Sequence, residues 1–526
     1  MHFFKITVGV ARSPIFHRSI KVGRAGILIS LYPTIGTRFD SRPVLSLFLQ
    51  RRSRIGEAGC FYSTVSRNIN TAIEPHIGIR KYIYFRKTTE EASRVRYYSF
   101  NSVKMSGESD QDQYLLIGVD QSMFTQKVRA YLRHHSIPFK DIPSVAKIFK
   151  TVVLPNTPYP LIPDLMIISP SKKYTVIQDS KVIMDYIQQK HNLPVTAGKK
   201  RFFAASFLEM IFDDYLFLHI INWRWGRPSQ QKYLEYTFGD GSLPFEAARK
   251  IGARVLGIVG GNTASMGLTE KTAPVFHKQL ITFLTMLTEH LDRYQFILGD
   301  ELTKADYSLY GHLSAGLLRD PAPYEWLVSE FPVVHGYTQR VAGGSVRWGS
   351  RDVVEVEVDV EKMVLVSSRS TMGMRRSGGE DEGLEKQDKV PEISTRIARF
   401  LARDYVGILG KSVEATLEFL DGKTGEVVVP RGLKGVNMEF TVHGEEDGDG
   451  VTESRTVTTH CVYMLQRILD NGYRGEDRGE VDSWLKEVGV LEEWKKVVGT
   501  WEGSGWRMDL TREGTVATRK VDSARL

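Results

Sequence analysis

Apolar residues between Tyr114 and Ile187 change their period in a fixed order, and that order admits few folds. Tyr114 to Val119 is a short apolar run, the pattern of a buried strand. After the polar turn at Asp120, Val128, Tyr131 and Leu132 recur at helical spacing. Ile137-Pro138-Phe139 begins a second extended piece. A proline-rich stretch from Pro155 to Pro163 then leads into the apolar strand Leu165 to Ile168, and Pro170 to Lys173 reads as a hairpin turn before the returning strand Tyr174 to Ile177. Asp179-Ser180 precedes a helix with Val182, Ile183, Tyr186 and Ile187 on one face. The order is βαβ, hairpin, helix. From about Phe202 onward only helical patterns follow, notably Phe203 to Trp225 and Phe276 to Tyr294, so a helical domain is expected beside the α/β one.

At 526 residues the chain can bury more than one core. The segments predicted are a disordered basic leader (1–110), an α/β domain (111–195), a helical domain (200–350), a linker (351–390), a mostly helical extension (391–510) and a disordered tail (511–526). Thr303-Lys304-Ala305-Asp306 has the form of a capping box, with Leu302 and Tyr307 as its staple, and marks a helix start. Val353 to Val360 alternates valine with acids as an amphipathic strand would, and nothing in its surroundings places it.

Through Thr89 fifteen Lys and Arg face three acids, so the excess behind the pI of 9.1 sits in the leader and not on the predicted folded body. No nucleic-acid role is therefore expected. Arg- and Ser-rich, acid-poor composition with short apolar patches such as Ile27 to Tyr32 is that of an import presequence, or of upstream sequence wrongly joined ahead of Met105. A cytoplasmic location is expected, or a mitochondrial one if the leader acts as a presequence. No apolar run is long enough to cross a bilayer, so no integral membrane segment is expected. Cys60 and Cys461 make neither a disulfide framework nor a zinc cluster, and Asp213-Asp214 has no His or Cys at ligand spacing, so no metal is expected.

Ser122-Met123-Phe124-Thr125-Gln126-Lys127-Val128, Leu161-Ile162-Pro163, Gln178-Asp179-Ser180 and the capping box stand in the order and spacing found in glutathione transferases. The chain resembles that superfamily from about Tyr114 to His312. Met438-Glu439-Phe440 and Tyr463 to Arg467 resemble the C-terminal extension of poorly characterised members. The resemblance implies a thioredoxin-like α/β domain, then an all-α glutathione-transferase C-terminal-type domain, then the extension.

It also implies a site. Ser122 would stabilise the thiolate of glutathione by donating a hydrogen bond, with Thr125 as reserve hydroxyl. Pro163 would be cis and present the backbone of Ile162 to the cysteinyl part, while Asp179 and Ser180 would hold the γ-glutamyl end. Each of Ser122, Asp179 and Ser180 has an alternative role as a helix cap. Trp225 and Arg224 would line the electrophile pocket, with Trp223 in the core. Because residues 122–125 contain no cysteine, mixed-disulfide chemistry lacks its nucleophile.

Two functions follow. One is conjugation of glutathione, as co-substrate, to a small hydrophobic electrophile, with an isomerase or dehalogenase using the same site. The other is a non-catalytic interaction module of the metaxin or translation-factor kind. A homodimer is usual in the family and stays open for this chain.

Overall fold

Four short strands and two helices suffice to build the first domain. A computed structural model describes residues 111–519, with breaks at 226, 240, 242, 261–262, 344–351, 360–363, 373–387, 445–449 and 474–477, together with four strand segments between 20 and 67. Strand β1 (Gln113–Gly118) leads through a turn into helix α1 (Met123–His134), which is followed by β2 (Phe139–Pro143), β3 (Asp164–Ile168), β4 (Tyr174–Gln178) and α2 (Ser180–Lys190). The sheet order is β2-β1-β3-β4, with β1 parallel to β2 and antiparallel to β3. This is the thioredoxin-like arrangement expected. Val128, Leu132, Ile183 and Ile187 are fully buried because α1 and α2 bring their apolar stripes to the sheet.

Helices α3 (Lys199–Ile211), α4 (Phe217–Trp225), α5 (Gln231–Thr237), α6 (Phe245–Gly260), α7 (Ala273–Leu291), α8 (Lys304–Gly311), α9 (Pro321–Glu330) and α10 (Pro332–Gly343) form the all-α second domain. Residues 212–216, between α3 and α4, form a single π-helical turn, as do residues 312–317 after α8. The capping box at Thr303 is present. Its Asp306 carboxylate accepts from the Thr303 amide at 2.9 Å, and also from the Ile297 amide at 2.8 Å and the Tyr337 hydroxyl at 3.0 Å, so the cap also ties the helix to its neighbours.

The segment expected to be linker contains an antiparallel hairpin, β5 (Asp352–Asp359) with β6 (Val364–Met372), so the alternating valines do form a strand and its partner runs into the Ser-rich stretch. The end of the linker is tethered: Asp388 accepts from the amides of Lys200 at 2.8 Å and Arg201 at 2.9 Å, capping α3 across 187 residues of sequence.

The extension is mostly helical, with α11 (Glu392–Leu420), α12 (His460–Gly472), α13 (Arg478–Val488) and α14 (Leu491–Gly503). It also holds β7 (Glu426–Val429), a long hairpin of β8 (Gly432–His443) and β9 (Gly450–Thr458), and a closing hairpin of β10 (Trp506–Thr511) and β11 (Gly514–Arg519). The tail is therefore ordered to Arg519. β11 pairs with both β7 and β10, and Thr515, Val516 and Ala517 are buried, pairings that polar sequence after Trp506 did not reveal.

α11 and α3 share one core. The rings of Phe203 and Phe207 meet Trp484 and Trp494 edge to face at 5.4–6.1 Å between centroids. Polar anchoring is equally specific: Asp404 of α11 accepts from Tyr215 Oη at 2.9 Å, Gln279 Nε2 at 2.7 Å and the His443 ring at 2.6 Å.

In the leader, where disorder was expected, Ile20–Val22, Ile27–Pro33, Leu45–Arg52 and Tyr62–Arg67 pair antiparallel in sequence order. The apolar run at Ile27 finds a backbone partner in Leu45–Arg52. Met1–Val103 and the remainder are separate units. Most of the leader, residues 373–387 of the linker and residues 520–526 of the tail lie outside the described residues.

Candidate functional site

Ser122 stands at the N-cap of α1, in extended backbone, and its Oγ accepts from the Thr125 amide at 3.1 Å. That bond uses a lone pair and leaves the hydroxyl proton free to be donated. Thr125 is fully buried beneath Gly118, where an added Cβ would approach its side chain to 2.4 Å. The reserve hydroxyl is thus a packing residue, removed from any cleft.

The Ile162–Pro163 bond is cis. Ile162 is half-buried, and its backbone N–H makes no hydrogen bond among the described residues. Gln178 fixes the approach to it, donating to the carbonyls of Tyr159 at 3.0 Å and Leu161 at 2.9 Å and to Asp164 Oδ1 at 3.0 Å.

Asp179 caps α2 with φ of 80°, in the left-handed region that a non-glycine residue seldom adopts, and accepts from the Lys181 amide at 2.9 Å. Ser180, at the first helical position, is buried. Ser122 opens α1 after β1 and Asp179 opens α2 after β4, while the cis-proline loop leads into β3 of the same sheet.

The extension reaches the same place. His460, at the start of α12, sets its Nε2 3.7 Å from Asp179 Oδ2, whose side chain is only 9% exposed. Arg467 pairs with Asp185 of α2. On the other side Tyr159 is held by the closing hairpin: its hydroxyl donates to Thr515 Oγ1 at 3.0 Å and accepts from the Thr515 amide at 2.8 Å.

Burial works to raise the Asp179 carboxyl, but the neighbouring cations, Lys181, Arg431 and Arg467 among them, overcome it and hold the group below the usual carboxylate range. Burial and Arg431 push His460 well below its ordinary value, so near neutral pH it meets Asp179 as a neutral ring.

Arg224 does not line an electrophile pocket. It is buried, with Nε 2.8 Å from Asp320 Oδ2 and Nη1 donating to the Gln121 carbonyl at 3.0 Å, so it clamps the loop that carries Ser122 to the helical domain. Trp225 is half-buried, 5.9 Å from the Arg224 guanidinium and tilted at 46° against the Phe238 ring. Trp223 is in the core, stacked on Trp326.

Sequence reasoning passed over a buried charge cluster at the domain junction. Lys127 Nζ lies 2.5 Å from Glu209 and 2.7 Å from Asp213. Lys181 also pairs with Asp213, and Ser308 donates to Asp213 Oδ1 at 2.6 Å. A lysine beside Val128 on the apolar side of α1 was the available signal. Asp213 stands on a π-helical turn. Among the described residues no group of acids, His and Cys could hold a metal.

Residues 116–195 match the family profile of the glutathione S-transferase N-terminal domain. Residues 116–195 are thus a domain of the glutathione-transferase N-terminal type. No curated protein matches it. Solved structures similar to this glutathione-transferase-like chain include transferase GSTFuA3 of Phanerochaete chrysosporium, at 14% identity over 45% of this chain and 98% of that one, with a TM-score of 0.33. Another is CsGST63524 of Ceriporiopsis subvermispora in complex with glutathione, at 17% identity over 45% and 100% of the two chains and a TM-score of 0.32. The tau-class enzyme of mango, Mangifera indica, is 15% identical over 44% and 88%, with a TM-score of 0.27. The match of residues 116–195 and the strand order carry the assignment, and the extension lies beyond the profile. Among the described residues no helix is long and apolar enough to cross a membrane.

Proposed function

We propose that this chain is a glutathione-transferase-fold protein whose glutathione site is covered by its own C-terminal extension, and that it acts as a non-conjugating interaction module. The observation that carries the reading is the position of His460 beside Asp179, with Tyr159 tied to Thr515 across the same face. The γ-glutamyl end of glutathione would have to displace α12, and the remaining recess of about 340 Å³ beside Pro158 and Thr175 is bounded by the closing hairpin at Leu510. Burying two aromatic-rich faces against each other makes that displacement costly, at about 1.5–3 kcal/mol per large apolar side chain exposed.

Catalytic conjugation is the second reading, favoured by the cis Ile162–Pro163 bond, the unengaged Ile162 amide and the free proton of Ser122. In that reading Ser122 donates to the thiolate, Ile162 pairs with the cysteinyl backbone and the α2 N-terminus takes the γ-glutamyl carboxylate.

Calorimetric titration of glutathione into the full chain, beside Ser122→Ala, separates the two. The expected result is no saturable binding at millimolar glutathione and no conjugation of an activated chloroarene. Saturable binding with a thiolate ultraviolet band that disappears in Ser122→Ala would overturn the module reading and establish the site as catalytic.

A further inference from the structure

Lys304 is the first residue of α8, where a cation is out of place because the helix N-terminus carries the positive end of the backbone dipoles. Its Nζ rests 4.5 Å from the ring centroid of Phe202 on α3, and among the described residues the amine has neither a hydrogen bond nor an ion pair. The side chain is only partly covered. Three recesses border it: one of about 310 Å³ toward Thr196 and Arg340, one of about 760 Å³ toward Leu193 and Tyr473, and a narrow one toward Met464 and Asn471.

Charges face the amine from four elements, and each is already matched. Glu209 of α3 is held by Lys127 of α1, and Asp185 of α2 is held by Arg467 of α12. Lys181, which borders two of the recesses, is engaged with Asp213. Asp300 and Glu301 also line the recess toward Thr196, Glu301 with its carboxylate 4.0 Å from Arg201 and largely in solvent.

We propose that Lys304 is a covalent attachment site for small aldehydes, its unpaired amine lodged against Phe202 at the meeting point of three recesses. The nitrogen lone pair attacks the carbonyl carbon, forming the N–C bond as the carbonyl π pair moves to oxygen and a proton passes from nitrogen to oxygen. The carbinolamine then loses water to give an imine, with no change in oxidation state. Thr196 and Gln188 along one recess and Tyr473 along another offer both polar and apolar surface to a short tail on the aldehyde.

The proton balance of the amine supports this chemistry. Burial lowers its pKa, opposed by Glu209 and Asp185 and assisted by Arg467 and Lys127, so more of it is neutral near pH 7 than of an exposed lysine. This use of the molecule is independent of glutathione and survives either outcome of the titration above.

The test is reductive alkylation of the full chain with acetaldehyde and cyanoborohydride, with rates resolved residue by residue by mass spectrometry. At pH 7 Lys304 is expected to react at least severalfold faster than exposed lysines such as Lys172 and Lys140, because more of its amine is neutral. Its rate should also level off at lower pH than theirs. In Lys304→Arg the fast fraction of total labelling should vanish while the other sites keep their rates. A wild-type rate at Lys304 equal to or below that of Lys172 overturns the proposal, and because it is read on wild type it does not depend on the variant folding.

Discussion

Lys127 illustrates how a charged residue can be built into an apolar helix face. It sits on the buried face of α1 and is enclosed, yet burial, which opposes its charge, is outweighed by Asp213 and Glu209, and its pKa rises. Asp213 is likewise pushed up by burial and pulled well below the carboxylate range by Lys127 and Lys181. Removing one partner of such a cluster strands the others. Lys127→Met should therefore lower the unfolding free energy by about 3–5 kcal/mol, measured by urea denaturation. A loss below about 1 kcal/mol, the scale of an exposed pair, would show that the cluster is solvated in solution. The partners of Lys127 come from α3 and the turn after it, more than eighty positions away, so neither its role nor the clamp made by Arg224 can be seen in local sequence.

At the scale of elements, what was legible was what periodicity encodes. The βαβ, hairpin, helix order, the helical domain and the cap at Thr303 all follow from spacing and turn residues, and all are present. The β10–β11 hairpin was missed because its strands are short and polar and gain their burial only by pairing with β7. The extension's attachment belongs here too. Trp494 is fully buried against Phe203 and Phe207, so Trp494→Ala should cost about 3–5 kcal/mol and expose apolar surface of α3. Increased binding of a hydrophobic dye together with the lowered midpoint would confirm that the extension and the helical domain unfold as one body. Unchanged dye binding would mean that they part without exposing α3.

Over the whole molecule the pH response follows from burial. Burial depresses His135, His219, His290 and His312, each to about 4. Their folded values lie below the unfolded value of about 6.5, so their contribution is present above that pH and is lost as pH falls from 6.5 to 4. Asp164 works the other way: burial raises it to about 7 against a hydrogen bond from Gln178, so the native state keeps a proton that the unfolded chain releases, and stability falls as pH rises from 4 to 7. His277 and His460 are lowered as well, and Asp306 and Asp320 are raised like Asp164, so among the described residues six depressed histidines face three raised carboxyls. The thermal midpoint should fall steadily between pH 6.5 and 4 and be nearly flat from 7 to 8, followed by tryptophan fluorescence. A midpoint that rises on acidification would place these histidines in contact with water.

The sequence by itself determined the order of elements, the superfamily resemblance and the chemical identity of Ser122, Ile162, Pro163, Asp179 and Ser180, because period, turn chemistry and motif spacing are local properties. Only the tertiary structure decided what surrounds them. His460, Tyr159 with Thr515, and the neighbours of Lys304 come together through docking of the extension onto α2 and α3, a matter of long-range packing and paired charge that spacing along a chain does not record.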